Sequence, residues 1–191
     1  MMKNNPKLSV SLMCADLLNL EYEIRKLEEN GVDYLHIDLM DATFVPNLTF
    51  GPDIVNAIRR TTKIPLDIHL LMEHPRVIIR SMNIQKGDIV TIHSECKESI
   101  MENVAFIKQK GAKFGLALNP DTSIEEVHKY LPYVDVILLM LIVPGFAGSM
   151  MIHGMMEKVG ETYKYLNSSK FDNIEISVDG SVSSERAKYM R

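Results

Sequence analysis

The 191-residue chain has no tryptophan, only two cysteines and no excess of basic residues. No run reaches the roughly 18 apolar residues that a membrane span requires. Cys14 and Cys96 lie far apart, which excludes a disulfide framework or a zinc-ribbon spacing and fits a reducing compartment. Cys14 reads as a small buried residue rather than a nucleophile. The first residues, MMKNNPKLSVSLM, lack an apolar core of signal-peptide length. A cytoplasmic location is therefore expected. Lysine and arginine number 21 against 25 aspartates and glutamates, a formal net charge of −4. That balance argues against a nucleic-acid or membrane partner, since both need a basic face. A small anionic substrate stays compatible, because one pocket can be positive on an acidic protein. No linker, repeat or low-complexity segment divides the chain, so residues 1–191 read as a single domain. A hydrophobic content of 46% is enough for one sizeable core. The thirteen methionines read as core filler.

Strand-like and helix-like stretches alternate along the chain. Lys7–Met13, Tyr34–Asp38, Pro65–Leu70, Asp88–Ile92, Lys113–Leu118, Val134–Leu139 and Ile174–Val178 read as strands. Leu17–Asn30 has helical spacing, with Asp16 placed to cap it and Gly31 to end it. Gly51-Pro52 opens a second helix, with proline at a tolerated first-turn position. Pro75–Met82, Lys97–Lys110 and Met155–Leu166 follow as helices, and Ser183 begins a last one. Thr122 and Glu125 read as a capping box for the helix after the fifth strand. Strict alternation with apolar strands implies a parallel α/β fold. An open doubly wound sheet and a (β/α)₈ TIM barrel both fit. No G-x-G-x-x-G follows the first strand, so the dinucleotide version lacks support. The polar candidates sit after many different strands, at their C-terminal ends, which is where barrel enzymes collect active sites. The barrel is favoured. Only seven strand–helix units can be counted, so the eighth is lacking and two edges are expected to stay open.

Four residues point to chemistry. His36 and Asp38 lie two apart in a strand, so they share a face. His69 and Asp179 each end another apolar run. Two imidazoles and two carboxylates suit one divalent cation, and zinc, iron, cobalt and manganese remain open. Such a cation would polarise a carbonyl and stabilise an enediolate. Asp38 and Asp179 could then remove a proton from one face and return it to the other, which is an epimerisation. The loop Pro144–Ser149 carries two glycines between a strand and a helix, and its amides could bind a phosphate.

These residues stand in segments that resemble the ribulose-phosphate 3-epimerase family. The segments are SLMCADLL at 11–18, HIDLMDATFVPNLTFGP at 36–52, LDIHLLM at 66–72, GLALNPDT at 115–122, LLMLIVPGFAG at 138–148 and VDGS at 178–181. They follow the family order over nearly the whole chain, and the long segment at 36–52 is the most specific. The resemblance implies a phosphate-binding (β/α)₈ barrel with one divalent metal and a phosphorylated ketose as substrate. It implies His36, Asp38, His69 and Asp179 as metal ligands, and Asp38 and Asp179 as the acid–base pair. It places Ser11 and His69 against substrate, and Met40 and Met140 as methionines that cap the polar centre. Gly145, Phe146, Ala147, Gly148 and Ser149 match part of the phosphate site, and Gly180 and Ser181 another part. A homo-oligomer is expected. SLMC, PGFAG and VDGS are closer to the D-allulose-6-phosphate 3-epimerase branch than to the pentulose branch.

The chain also departs from the pattern. Ala42 stands where the family usually has glycine, and Leu71 replaces one methionine cap. Leu141 and Val143 replace polar residues ahead of Pro144, and Ser149 replaces a common glutamine. The eighth strand and its phosphate-binding loop are missing. Two alternatives follow: a truncated family member that binds metal or ligand without turnover, and a metal-dependent aldolase on the same barrel. His93 ends the fourth strand and is a lesser candidate for the pocket, while His74, His128 and His153 read as surface or helix residues. Asp41 and Asn119 read as turn-formers.

Overall fold

The computed structural model describes residues 6–188. Seven parallel strands neighbour one another in chain order. They are β1 (Ser9–Ser11), β2 (Tyr34–Met40), β3 (Leu66–Leu71), β4 (Ile89–His93), β5 (Lys113–Leu118), β6 (Val136–Met140) and β7 (Glu175–Asp179). Helices α1 (Leu20–Glu29), α2 (Pro52–Thr61), α3 (Arg76–Ser81), α4 (Ile100–Gln109), α5 (Met155–Ser168) and α6 (Ser184–Ala187) stand between or after them. The fifth crossover is a 3₁₀ segment, Glu125–Tyr133. The sheet curls as a TIM barrel does, but β7 does not pair with β1. The expected architecture holds, including the place left open by an eighth unit.

Strand geometry sorts the residues. Successive side chains point to opposite faces. Leu35, Ile37 and Leu39 of β2 and Leu66, Ile68 and Leu70 of β3 join the main apolar cluster, together with Ile24 of α1, Val55 and Ile58 of α2 and Ile79 of α3. The alternate positions of the same strands are His36 and Asp38, then Asp67 and His69. Parallel register sets His36 beside Asp67 and Asp38 beside His69. The outer face of the sheet therefore meets the helices, and the inner face collects polar groups near the C-terminal strand ends.

Local chemistry explains several element ends, and it corrects three expectations. Asp16 does cap a turn, accepting from Leu18 N at 3.0 Å, but that turn is 3₁₀ and α1 starts only at Leu20. Gly31 adopts a φ of 66°, the left-handed conformation that closes α1. The box expected at Thr122 and Glu125 is shifted: Ser123 N donates to the Glu126 carboxylate at 2.8 Å, while the Thr122 hydroxyl donates to Glu95. With Thr122 committed elsewhere and Pro132 lacking an N–H inside the segment, a 3₁₀ run forms instead of an α-helix. Cys14 is exposed, not buried, because Leu12 takes the inward position of that turn.

One buried pair ties the base of the fold together. Asp88 accepts from Arg59 of α2 and from Leu66 N at the start of β3. Its second oxygen accepts from Gln85 N at 2.8 Å. Strands β3, β4 and β6 are buried throughout, whereas every residue of β1 and β7 is half-buried. At the N-terminal end of the open seam, Glu175 of β7 accepts from Lys7 at 2.9 Å and from Lys113 at 2.8 Å.

Candidate metal and acid–base centre

Strand register assembles the four candidates. His36 and Asp38 come from β2, His69 from β3 and Asp179 from the end of β7. One donor atom from each lies within 4.8 Å of all the others. Asp38 Oδ1 is 3.0 Å from both His36 Nε2 and His69 Nδ1. Asp179 Oδ2 is 3.9 Å from His36 Nε2 and 3.8 Å from His69 Nδ1. Ligands about 2.1 Å from a shared tetrahedral centre are separated by about 3.4 Å. The separations found straddle that value, so the two nitrogens and two oxygens fit a small divalent cation. Each ring is turned by its neighbours. His36 Nδ1 is 2.9 Å from Asp67 Oδ2, and that oxygen also accepts from Ser9 Oγ at 2.8 Å. His69 Nε2 is 2.9 Å from His93 Nε2, and His93 Nδ1 is 3.2 Å from Glu95 Oε2.

Burial and charge oppose one another here. Burial pushes the His36 imidazole down, but Asp38 and Asp67 outweigh it and raise its pKa well above the usual histidine range. Burial pushes Asp38 up, and His36 and His69 more than reverse that. Asp67 is likewise held below the ordinary carboxylate range by His36 and Ser9 against its burial. Charge-assisted hydrogen bonds join the carboxylates of Asp38 and Asp67 to the His36 imidazole. A cation among these donors displaces protons, because a ligating imidazole must be neutral at the bound nitrogen. Burial drives His93 down to about 4, against the pull of Glu95, so it is neutral at pH 7.

The other expected residues lie at or just after the C-terminal ends of β1, β2, β6 and β7. Ser11 donates to Asp38 Oδ2 at 3.3 Å. Met40 is buried with Leu71 and Val45, and Met140 lies beside Asp179 in the β6–β7 register. Gly145, Phe146, Ala147, Gly148 and Ser149 form the loop after β6, joined to the β2 loop by a 2.7 Å bond from Asn47 Nδ2 to Gly145 O. Gly180 and Ser181 turn the chain after β7 with φ values of 94° and 54°. Arg186 donates to Ser181 Oγ at 2.8 Å. A cavity of about 560 Å³ is not lined by the four clustered residues. Phe44, Val143 and Pro144 line it, and the Phe44 ring lies 4.6 Å from that of His93.

Sequence reasoning missed Asp67, Ser9 and Glu95, and it ranked His93 too low. The period of two could have found them. Asp67 precedes His69 by two, Ser9 precedes Ser11 by two, and Glu95 follows His93 by two. Asp41 is a turn-former, as expected: its Oδ1 accepts from Thr43 N and Phe44 N, both at 2.9 Å. The expected surface histidines are His74, His128 and His153, and all three are exposed.

Residues 7–191 match the model of the Ribulose-phosphate 3 epimerase family. The chain belongs to the ribulose-phosphate 3-epimerase family. It is 40% identical to the ribulose-phosphate 3-epimerase of Chlamydia pneumoniae over 182 residues, covering 95% of this chain and 80% of that one. It is 37% identical to that of Bacillus subtilis (strain 168), covering 95% of this chain and 83% of the relative. For the protein of that name from Methanocaldococcus jannaschii the identity is 33%, over 95% of this chain and 76% of the relative. Membership makes the chain an enzyme of the isomerase class with epimerase-type activity, and its clustered histidines and aspartates are able to coordinate a divalent metal. Among the described residues, no helix is long and apolar enough to cross a membrane.

Proposed function

We propose that the chain is a 3-epimerase of a phosphorylated ketose that works with two carboxylates, Asp38 and Asp179. One observation carries this reading: carboxylates from β2 and β7 converge on the same pair of imidazole nitrogens. A divalent cation held by these residues would supply Lewis-acid polarisation of the substrate carbonyl and so acidify the C–H beside it. His36 Nε2, His69 Nδ1, Asp38 Oδ1 and Asp179 Oδ2 are the atoms that would hold zinc, iron, cobalt or manganese. Asp38 keeps its other oxygen, Oδ2, in contact with Ser11 and free of the cluster. One carboxylate removes the proton at carbon 3, and the other returns one to the opposite face. Met40 and Met140 close the inner face with apolar sulfur-bearing side chains, which exclude water from the developing charge. The turns at Gly145–Ser149 and Gly180–Ser181 offer backbone amides to the phosphate.

Two sugars compete. The relatives are named for ribulose phosphate, which favours interconversion of D-ribulose 5-phosphate and D-xylulose 5-phosphate. The segments SLMC, PGFAG and VDGS favour D-allulose 6-phosphate and D-fructose 6-phosphate. Proton NMR in D₂O with added Mn²⁺ or Zn²⁺, offering each sugar separately, tests both. Deuterium entry at carbon 3 with appearance of the epimer is expected, faster for the true substrate. Folded, metal-loaded protein that exchanges neither sugar would favour a family member that binds without turnover. Asp179→Asn should lower epimer formation by at least about a thousandfold while leaving the fold intact. Substantial turnover in that variant removes the two-carboxylate mechanism.

A further inference from the structure

The two candidate imidazole ligands present different nitrogens to the same centre. His36 offers Nε2, and His69 offers Nδ1. An imidazole can ligate only through a nitrogen that carries no proton, so each ring needs its proton on the far side. For His36 the far nitrogen meets the Asp67 carboxylate, an acceptor that holds the proton there. For His69 the far nitrogen meets another imidazole nitrogen, His93 Nε2, at 2.9 Å. Two facing ring nitrogens at that distance share one proton, and either ring could own it.

Glu95 removes the ambiguity. Its Oε2 lies 3.2 Å from His93 Nδ1, and a carboxylate can only accept. The Nδ1 that faces this carboxylate therefore carries the His93 proton. Nε2 of His93 is left as an acceptor, and the shared proton belongs to His69 Nε2. That leaves the lone pair of His69 Nδ1 pointing at the centre. In the opposite assignment His69 Nδ1 would be protonated and could not ligate, while a bare His93 nitrogen would face the carboxylate.

We propose that His93 and Glu95 are positioning residues that fix the ligating tautomer of His69. Glu95 is itself immobilised. Its Oε1 accepts from Asn119 N at 3.0 Å and from the Thr122 hydroxyl. Lys158 of α5 donates to the carbonyls of Asn119 and Pro120, each at 2.9 Å, and to that of Thr122 at 2.6 Å. The chain of contacts thus runs from the centre through β4 to the loop after β5, and α5 clamps that loop.

The inference rests on His69 being a ligand, as proposed above. Replacing His93 by leucine keeps volume and apolar packing but deletes the acceptor. Replacing it by glutamine restores both roles, since a side-chain amide oxygen accepts from His69 and the amide nitrogen donates to Glu95. The measurement is Co²⁺ affinity by competition with a chromophoric chelator, together with the visible spectrum of the Co²⁺-loaded protein and kcat and KM. His93→Leu should bind Co²⁺ about 10–100-fold more weakly with an altered spectrum. His93→Gln should stay within a few-fold of wild type, and Glu95→Gln should fall between. Equal affinity and spectrum in wild type and His93→Leu overturns the inference while leaving His69 a ligand, as does a glutamine variant no better than leucine. Wild-type protein that takes up no Co²⁺ overturns the ligand reading as well. If His93→Leu fails to fold, His93→Gln and Glu95→Gln decide: parity of Glu95→Gln with wild type overturns the inference.

Discussion

Gly115 occupies an inner position of β5 directly beside Thr91 of β4. A Cβ placed there would lie 2.1 Å from the Thr91 hydroxyl and 3.2 Å from its Cα. A side chain would have to displace the wall of the lumen next to His93. Gly115→Ala should destabilise the fold by about 1–3 kcal/mol, read from urea unfolding. Unchanged stability would mean that Thr91 turns away at no cost. Ala42 is the opposite case. Its φ of 59° lies in the left-handed region, in the turn where its N–H donates to Asn47 O at 3.0 Å. This conformation costs an alanine roughly 1–2 kcal/mol, whereas glycine adopts it freely. The family's usual glycine thus has a backbone reason. Glycine also gains unfolded-state entropy, worth about 0.4–1 kcal/mol. Ala42→Gly should therefore leave stability equal or raise it by up to about 1.6 kcal/mol. A clear loss of stability would show that the methyl group packs usefully.

The connection between β4 and the 3₁₀ segment after β5 is held by one carboxylate, Glu95. Burial pushes its carboxyl up, but hydrogen bonds from His93, Thr122 and Asn119 N outweigh that and hold it at about 2. The lowered value stabilises the fold above pH of about 4.5, where an unfolded glutamate is ionised. The contribution is lost as pH falls toward 2, and amounts to at most about 3 kcal/mol. Glu95→Gln should therefore be less stable than wild type at pH 7, and the two unfolding curves should converge as pH drops from 5 to 2. A constant gap across that range would mean that the loss is packing alone. The same element shows why a sequence motif failed. Thr122 and Glu125 have capping-box spacing, yet Thr122 is drawn to a carboxylate 27 residues away. Long-range chemistry overrode a local pattern.

At the scale of the whole molecule, the open seam between β1 and β7 dominates. Each of these strands pairs on one side only among the described residues. Amides of β7 that do not face β6 should exchange with deuterium at least about a hundredfold faster than those of β3 and β4. Equal protection would mean that the seam is covered in solution. The Glu175 bridge to Lys7 spans this opening, while Lys113 of β5 holds the same carboxylate from within the sheet. Burial raises the Glu175 carboxyl, but the two lysines outweigh it and hold it below the ordinary glutamate value. The bridge is therefore fully formed above the ordinary glutamate range and is lost as pH falls through the lowered value. Unpaired edges also favour pairing with another chain. This supports the expected homo-oligomer, which sedimentation velocity at rising concentration would read. A monomer at every concentration removes that expectation.

The amino-acid sequence by itself determined the alternation of elements and the inner and outer faces of the strands. Strand period and helix spacing are local properties, legible without coordinates. It also marked His36, Asp38, His69 and Asp179, because their residue types recur at the same place in the unit. What the sequence left undecided was which neighbours set those residues. Asp67 reads as an ordinary polar position until register puts it beside His36. His93 reads as a strand end until the curl of the sheet brings its ring against that of His69. Cys14 falls to the surface because the turn spends its inward position on Leu12. Register, curvature and hydrogen bonding between distant segments are cooperative quantities. Only the tertiary structure decides them, since each depends on where several strands sit at once.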